Sequence, residues 1–133
     1  MTRFFVLASI ALVVVVPSSP AQDKDTHERL VQETLKIMKD TTKILKDVQN
    51  KDQAEKAKKE ITALRAKTDD VNKRYAAIAA LTKEQEAELE KKYKVELEDA
   101  VKSFQTEALR LLKTDYGKDL VAILQQKTKT DGK

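Results

Sequence analysis

The chain of 133 residues has no cysteine, no tryptophan and one histidine, with two glycines, two prolines and 5% aromatic residues. Each shortage excludes something. Without cysteine there is no disulfide, no thiol nucleophile and no thiolate metal site, so stability must come from packing alone. A lone histidine cannot supply the paired Glu-x-x-His ligands of a di-iron bundle. Serine sits in no nucleophile elbow and glycine in no phosphate-cradling loop. The expectation is a non-enzymatic protein with no catalytic, cofactor-binding or metal-binding residue. Both prolines, Pro17 and Pro20, fall near the N-terminus, which leaves the rest of the chain free of helix breakers.

What is present begins with Arg3 and the apolar run "FFVLASIALVVVV" (4–16), followed by "PSSPAQ" (17–22) with small residues at Ser19 and Ala21. This order reads as a signal peptide over 1–21, cut after Ala21. The run is shorter than the roughly 20 residues that span a bilayer, and no lipid-accepting cysteine follows it. The expected mature protein is therefore secreted or periplasmic, with no transmembrane anchor. Beyond the leader, residues 22–126 read as one helical domain, and "KTKTDGK" (127–133) as a polar, disordered tail.

Three long helices are predicted, each opened by a side chain that accepts from a free amide of the first turn. Asp25 with Glu28, Asp52 with Glu55, and Thr82 with Gln85 have capping-box spacing. The first helix is predicted over 26–49, with Leu30, Ile37, Met38, Ile44, Leu45 and Val48 as its apolar face. The second is predicted over 53–80, where Ala54, Ala57, Ile61, Leu64, Thr68, Val71, Tyr75 and Ile78 recur at intervals of three and four. That seam has the average period of 3.5 that shallow helix packing requires. The third is predicted over 83–113, presenting Leu89, Tyr93, Leu97, Ala100, Val101, Phe104, Ala108, Leu111 and Leu112. Asn50 suits a left-handed end to the first helix and Gly117 an end to the third. "DLVAILQQ" (119–126) then forms a short fourth helix. The fold class is all-α: an up-down-up bundle of three long helices, sequential neighbours being antiparallel, with a short C-terminal helix. Leu64, Val71, Ile78, Leu97, Phe104 and Leu111 are its expected core.

Charged residues make up 36% of the chain, and 26 basic side chains face 22 acidic ones. Signs alternate along the helices. Glu88/Lys92, Glu90/Lys94, Glu55/Lys59, Asp69/Lys73 and Asp70/Arg74 place an acid one turn before a base, the order worth about 0.2–0.5 kcal/mol per exposed pair. The acidic groups at 84–90 and 96–99 thus read as solvated faces rather than metal sites. The basic runs at 55–61 and 90–96 lack the one-sided excess of a nucleic-acid binder. Envelope polyanion binding is the charge-driven alternative.

His27 and Met38 share one helix face, but three turns separate them by roughly 16 Å. They cannot ligate one iron from opposite sides, and His27 is expected at an exposed first turn. "ETLKIMKDTTKILKDVQNKDQAEKAKKEITALRAK" (33–67) nonetheless resembles the first hairpin of the periplasmic four-helix cytochrome b family, with Met38 at the place of its methionine ligand. That resemblance implies a helical bundle. The family's histidine ligand on the last helix has no counterpart in 118–133, and no haem-attaching cysteine exists, so the haem ligands do not carry over. The leader, "LKDVQNKDQAEKAKKEI" (45–61) and "LTKEQEAELEKKYKVELEDAVKSFQTEALRL" (81–111) together resemble small secreted bacterial helical proteins of unassigned function. This implies no site residue. The expected role is an interaction or structural module that binds a protein partner or self-associates along the heptad seam. A ligand-carrying bundle is the alternative.

Overall fold

The computed structural model describes residues 26–126, all of whose regular structure is helical: α1 (His27–Asp47), α2 (Lys51–Ala77), α3 (Lys83–Leu112) and α4 (Asp115–Gln125). The leader at 1–21 and the tail at 127–133 lie outside the described residues. No described helix is long and apolar enough to cross a membrane.

Local sequence accounts for each helix start, although two caps differ from the expected ones. Thr26, not Asp25, caps α1 by accepting from the Arg29 amide at 3.1 Å. Asn50, expected at a left-handed helix end, instead has extended backbone and caps α2 by accepting from Gln53 N at 3.0 Å. The side chain of Gln53 then accepts from Gln49 N at 2.7 Å, which fixes the turn between α1 and α2. Thr82 and Gln85 form the expected capping box in full. The fourth helix starts four residues earlier than 119 because Thr114 caps it through Gly117 N at 3.0 Å. Gly117 therefore opens α4 rather than ending α3.

Helix ends follow a different rule. No described residue has a positive φ, so none of these helices closes in the left-handed turn that glycine usually supplies. Arginines from neighbouring helices take over. The Arg110 guanidinium of α3 donates to Leu45 O at 2.8 Å and to Val48 O at 3.1 Å at the end of α1, where Leu45 O also accepts from Val48 N at 3.2 Å. Glu107 holds the same guanidinium at 2.7 Å. On α2, Arg65 donates to Ile123 O and Gln126 O at the end of α4.

The long helices run up, down and up, yet they do not pack as three sequential neighbours. α1 touches α2 and α3, and α4 also touches α2 and α3, while no Cα of α2 lies within 8 Å of α3. The expectation that α2 and α3 are adjacent is thereby corrected. Their link has extended backbone at both Ile78 and Thr82, which lets it span the width of α1 rather than form a tight hairpin. In cross-section the four helices make a ring, with α1 and α4 at opposite corners. The ring is complete only at the end where α4 lies.

That end holds the main core. Leu45, Val48, Ala54, Ala57, Ile61, Leu111, Leu120 and Val121 cluster there, drawn from all four helices. A second cluster of Leu35, Tyr93 and Ala100 joins α1 to α3 lower down. Among the expected core residues Leu64, Val71 and Leu111 are buried, whereas Ile78, Leu97 and Phe104 are only half-buried. The buried heptad seam of α2 is consumed within one chain by α1 and α4. Thr41 lies 7% exposed on the core stripe because its hydroxyl donates to Ile37 O at 2.8 Å, leaving no unsatisfied polar atom.

Two substitutions test this frame. Gly117→Ala in an open helix would add roughly 0.5–1 kcal/mol of stability. Here a Cβ would meet Leu111 O at 2.2 Å and Thr114 Oγ1 at 2.6 Å. The expected outcome is the opposite sign, a loss of about 1–3 kcal/mol in urea unfolding. Arg110→Lys keeps the charge but not the fork, and should cost about 1–2 kcal/mol, read as a lower urea midpoint at unchanged slope.

Candidate functional site

The apolar stripe of α1 continues past the reach of α4. Leu45 is fully buried in the upper cluster, while Met38, Thr34 and Val31, about two, three and four turns below it, are half-buried, Met38 and Val31 packing against the Leu35–Tyr93–Ala100 cluster. Along α3, Leu111 is buried while Leu97, Val101 and Phe104, on the same side, are half-exposed. α2 contributes Thr68 and Tyr75 in the same state. These positions outline a groove whose floor is α1 and whose walls are α2 and α3. It runs from the end of α4 down to His27, roughly 20 Å at ~1.5 Å per residue. No part of this groove was legible in the sequence, since it depends on where α4 stops.

The lower mouth widens into an open cleft of about 640 Å³. Ile78, Leu81 and Leu89 supply apolar surface there, and His27, Glu28 and Glu88 supply polar edges. His27 is half-buried rather than exposed. Its ring meets Tyr75 edge-on, centroids 4.9 Å apart and planes at 88°. Burial lowers the His27 pKa, and the nearby Glu86 carboxylate partly opposes that shift. Burial, reinforced by Glu86, raises the Tyr75 pKa. Glu86 thus sits where its charge reaches both rings. Of the charged groups that line the cleft, Glu28 and Lys92 pair with each other and Glu88 has no ion pair among the described residues.

Beside it, Glu28 is the hub of a bridge between α1 and α3. Lys92 pairs with Glu28, and the Tyr93 hydroxyl donates to the same carboxylate oxygen at 2.7 Å. Gln32 in turn donates to the Tyr93 oxygen at 2.8 Å. Lys92 and then Tyr93, by donating these bonds, lower the Glu28 pKa. Lys92 therefore serves the interhelical bridge instead of the expected pair with Glu88. Farther up α2, Arg74 joins Asp70 at 3.0 Å, as its spacing predicts, and reaches Glu33 of α1 at 2.6 Å. Glu55 pairs with Lys58 at 2.7 Å rather than with Lys59.

The site combines half-buried apolar side chains with a cleft edged by His27, Glu28, Glu88 and Lys92. Met38 packs against the Leu35–Tyr93–Ala100 cluster on the same stripe as His27. No group of three or more His, Cys, Asp or Glu side chains that could hold a metal is found among the described residues. Sequence reading placed Tyr93 on the apolar face but missed Leu35, and missed the hydroxyl of Tyr93 as a hydrogen-bonding partner. A lone tyrosine opposite two polar residues on another helix was the available signal, though only the α1–α3 register reveals it.

The histidine provides the test. Because its folded pKa lies below the unfolded value, the unfolded chain binds the extra proton first. Its contribution to stability is therefore intact above about pH 6.5 and is lost as pH falls through the folded pKa. An NMR titration should place His27 below the ordinary value, and Glu86→Gln should move it further down. A His27 that titrates normally would contradict the ring contact. Comparison of the chain with protein-family models, curated proteins and solved structures returns no match.

Proposed function

We propose that this chain is an exported, non-enzymatic helical module that works by binding another polypeptide, and that the α1-floored groove is its binding surface. The observation that carries this reading is the half-exposed stripe of Val31, Met38, Leu97 and Phe104. It is continuous with the stripe that α4 covers above. α4 shows the kind of element such a surface accepts: an amphipathic helix laid along the trough, with every third or fourth side chain as an anchor. Other exposed apolar side chains do not compete. Val95 on α3 is 70% exposed and stands roughly 21 Å from Leu109, which is 60% exposed and shares only a one-turn patch with Leu112 at 38%. Export is supported by the leader-like segment at 1–21.

Self-association along the α2 seam would need that seam to be free, and Ala54, Ala57, Ile61, Leu64 and Val71 are buried within one chain. A second copy would have to use the groove.

The ligand-carrying alternative draws on the cleft beside His27. The binding-module reading predicts no Soret shift on haem addition that Met38→Ala removes.

The decisive experiment has two arms. Mass spectrometry of the exported protein should find an N-terminus at Gln22. Photo-crosslinking from position 101 in the groove should then capture a polypeptide, with capture reduced at least tenfold by Leu97→Asp and unchanged by Val95→Asp on the outer face. Equal capture by both variants would overturn the groove as the binding surface.

A further inference from the structure

We propose that two copies of this chain exchange α4, and that Leu109 and Leu112 form the new surface on which the copies meet. α3 and α4 straighten into one helix at Thr114, and the α4 of each copy takes the seat on α2 and α3 of the other. A second copy docking on the closed fold must use the groove, whereas an exchanging copy uses the seat of α4. The exchange is independent of export and of what the groove binds.

The bend between α3 and α4 is a single-residue hinge. Only Lys113 and Thr114 separate the two helices, and Lys113 already has right-handed helical backbone at φ −81° and ψ −5°. Thr114 alone is extended, at φ −110° and ψ 147°. Its hydroxyl holds the bend by donating to Leu111 O at 2.8 Å and accepting from Gly117 N at 3.0 Å. Rotating this one residue into the helical region lets the first amides of α4 pair with the last carbonyls of α3. Short hinges favour exchange, because the closed and exchanged forms share their contacts everywhere else.

The apolar residues on either side of the hinge are arranged for two bodies. Leu111 and Leu120 are both fully buried in the upper cluster of the closed fold. They are nine residues apart, about two and a half turns of a straight helix. Straightening therefore leaves Leu111 facing its own copy and turns Leu120 to the opposite side, where a second copy fits without collision.

The exposed patch before the hinge gains a role by the same arithmetic. Leu109 is 60% exposed and Leu112 38% exposed in the closed fold. Leu109 precedes Leu120 by eleven residues, and Leu112 precedes Ile123 by eleven, each close to three full turns. In the straight helix both leucines extend the apolar stripe of α4. They then lie where the two straightened helices cross, so that two-fold symmetry sets the patch of one copy against that of the other.

Gly117 keeps the closed form accessible. A Cβ there would meet Leu111 O at 2.2 Å across the bend, a clash that a continuous helix does not contain. The substitution that destabilises the closed monomer to urea thus favours the exchanged dimer, in which alanine is also the better helix former.

Size-exclusion chromatography with light scattering on the full chain reads the outcome. At one chain concentration Gly117→Ala should raise the dimer fraction at least tenfold, and Thr114→Ala should shift it the same way without adding bulk. Asp115→Pro should abolish the dimer, because proline suits the first position of α4, holds Thr114 extended and cannot continue α3. In the Gly117→Ala background, Leu109→Asp should lower the dimer fraction at least tenfold and Val95→Asp should leave it unchanged. Circular dichroism confirms that each variant keeps its helices. Exchange itself is read from Lys58 of α2 and Asp119 of α4, which lie 3.9 Å apart. The chain has no cysteine, so introduced thiols report only themselves. Chains carrying Lys58→Cys alone and Asp119→Cys alone, refolded together, should be joined to each other by a short thiol-reactive crosslinker. Gly117→Ala and Thr114→Ala chains that fold and stay monomeric would overturn the proposal. So would a dimer in which positions 58 and 119 never join different chains. A dimer lost with Leu97→Asp but kept with Asp115→Pro would also overturn it, by assigning self-association to the groove.

Discussion

The fold hangs on a guanidinium. Arg110 of α3 donates to the Leu45 and Val48 carbonyls that end α1. It closes a helix that has no glycine to close it. A helix leaves four carbonyls without intrahelical partners, and burying that end beside Val48 and Leu45 would be costly if they stayed unmet. The same contact fixes the axial register of α1 against α3. From that register follow the pairing of Glu28 with Lys92 and Tyr93 and the packing of Leu35 on Ala100. Arg65 repeats the device for α4, tying its last carbonyls to α2. In a chain this poor in glycine, the ends of helices become tertiary contacts.

This explains a division of labour between the two basic residue types. Lysines dominate the count, and the pairs they form are largely exposed, worth at most a fraction of a kcal/mol each. Arg65, Arg74 and Arg110 each bridge two helices. Arginine's planar fork can hold two carbonyls, or a carboxylate on each side, where an ammonium would serve as a point charge. Sequence reading, which weighed lysine and arginine together as basic runs, passed over this structural use.

The all-helical class, the number of helices and most of their lengths were legible because apolar spacing and cap residues are local. Boundaries shifted where two candidates stood side by side. Asp25 and Thr26 can both cap, as can Asn50 and Asp52, and the geometry of the turn decides between them. Gly117 was misread for a related reason. Its role is a close approach to the Leu111 carbonyl, which depends on how sharply α4 turns back over α3. Neighbour relations were not legible at all. The seam of α2 shows which face is apolar, not whether α1, α3 or α4 will cover it, and the separation of α2 from α3 is set by the width of α1 between them. His27 followed the same pattern: a first-turn position suggests exposure, but the packing of α2 brings Tyr75 onto it.

The groove is best understood as a consequence of unequal lengths. α2 has 27 residues and α3 has 30, while α4 has 11. A fourth helix of full length would cover Met38, Leu97 and Phe104 as Leu120 and Val121 cover Leu45, and the protein would be a closed bundle with no surface to offer. Stopping α4 at Gln125 costs the burial of that lower stripe, at about 25 cal/mol per Å² of apolar surface left wet. The Leu35–Tyr93–Ala100 cluster packs α3 on α1, and α1 packs along α2, so both walls are held on the floor below the reach of α4.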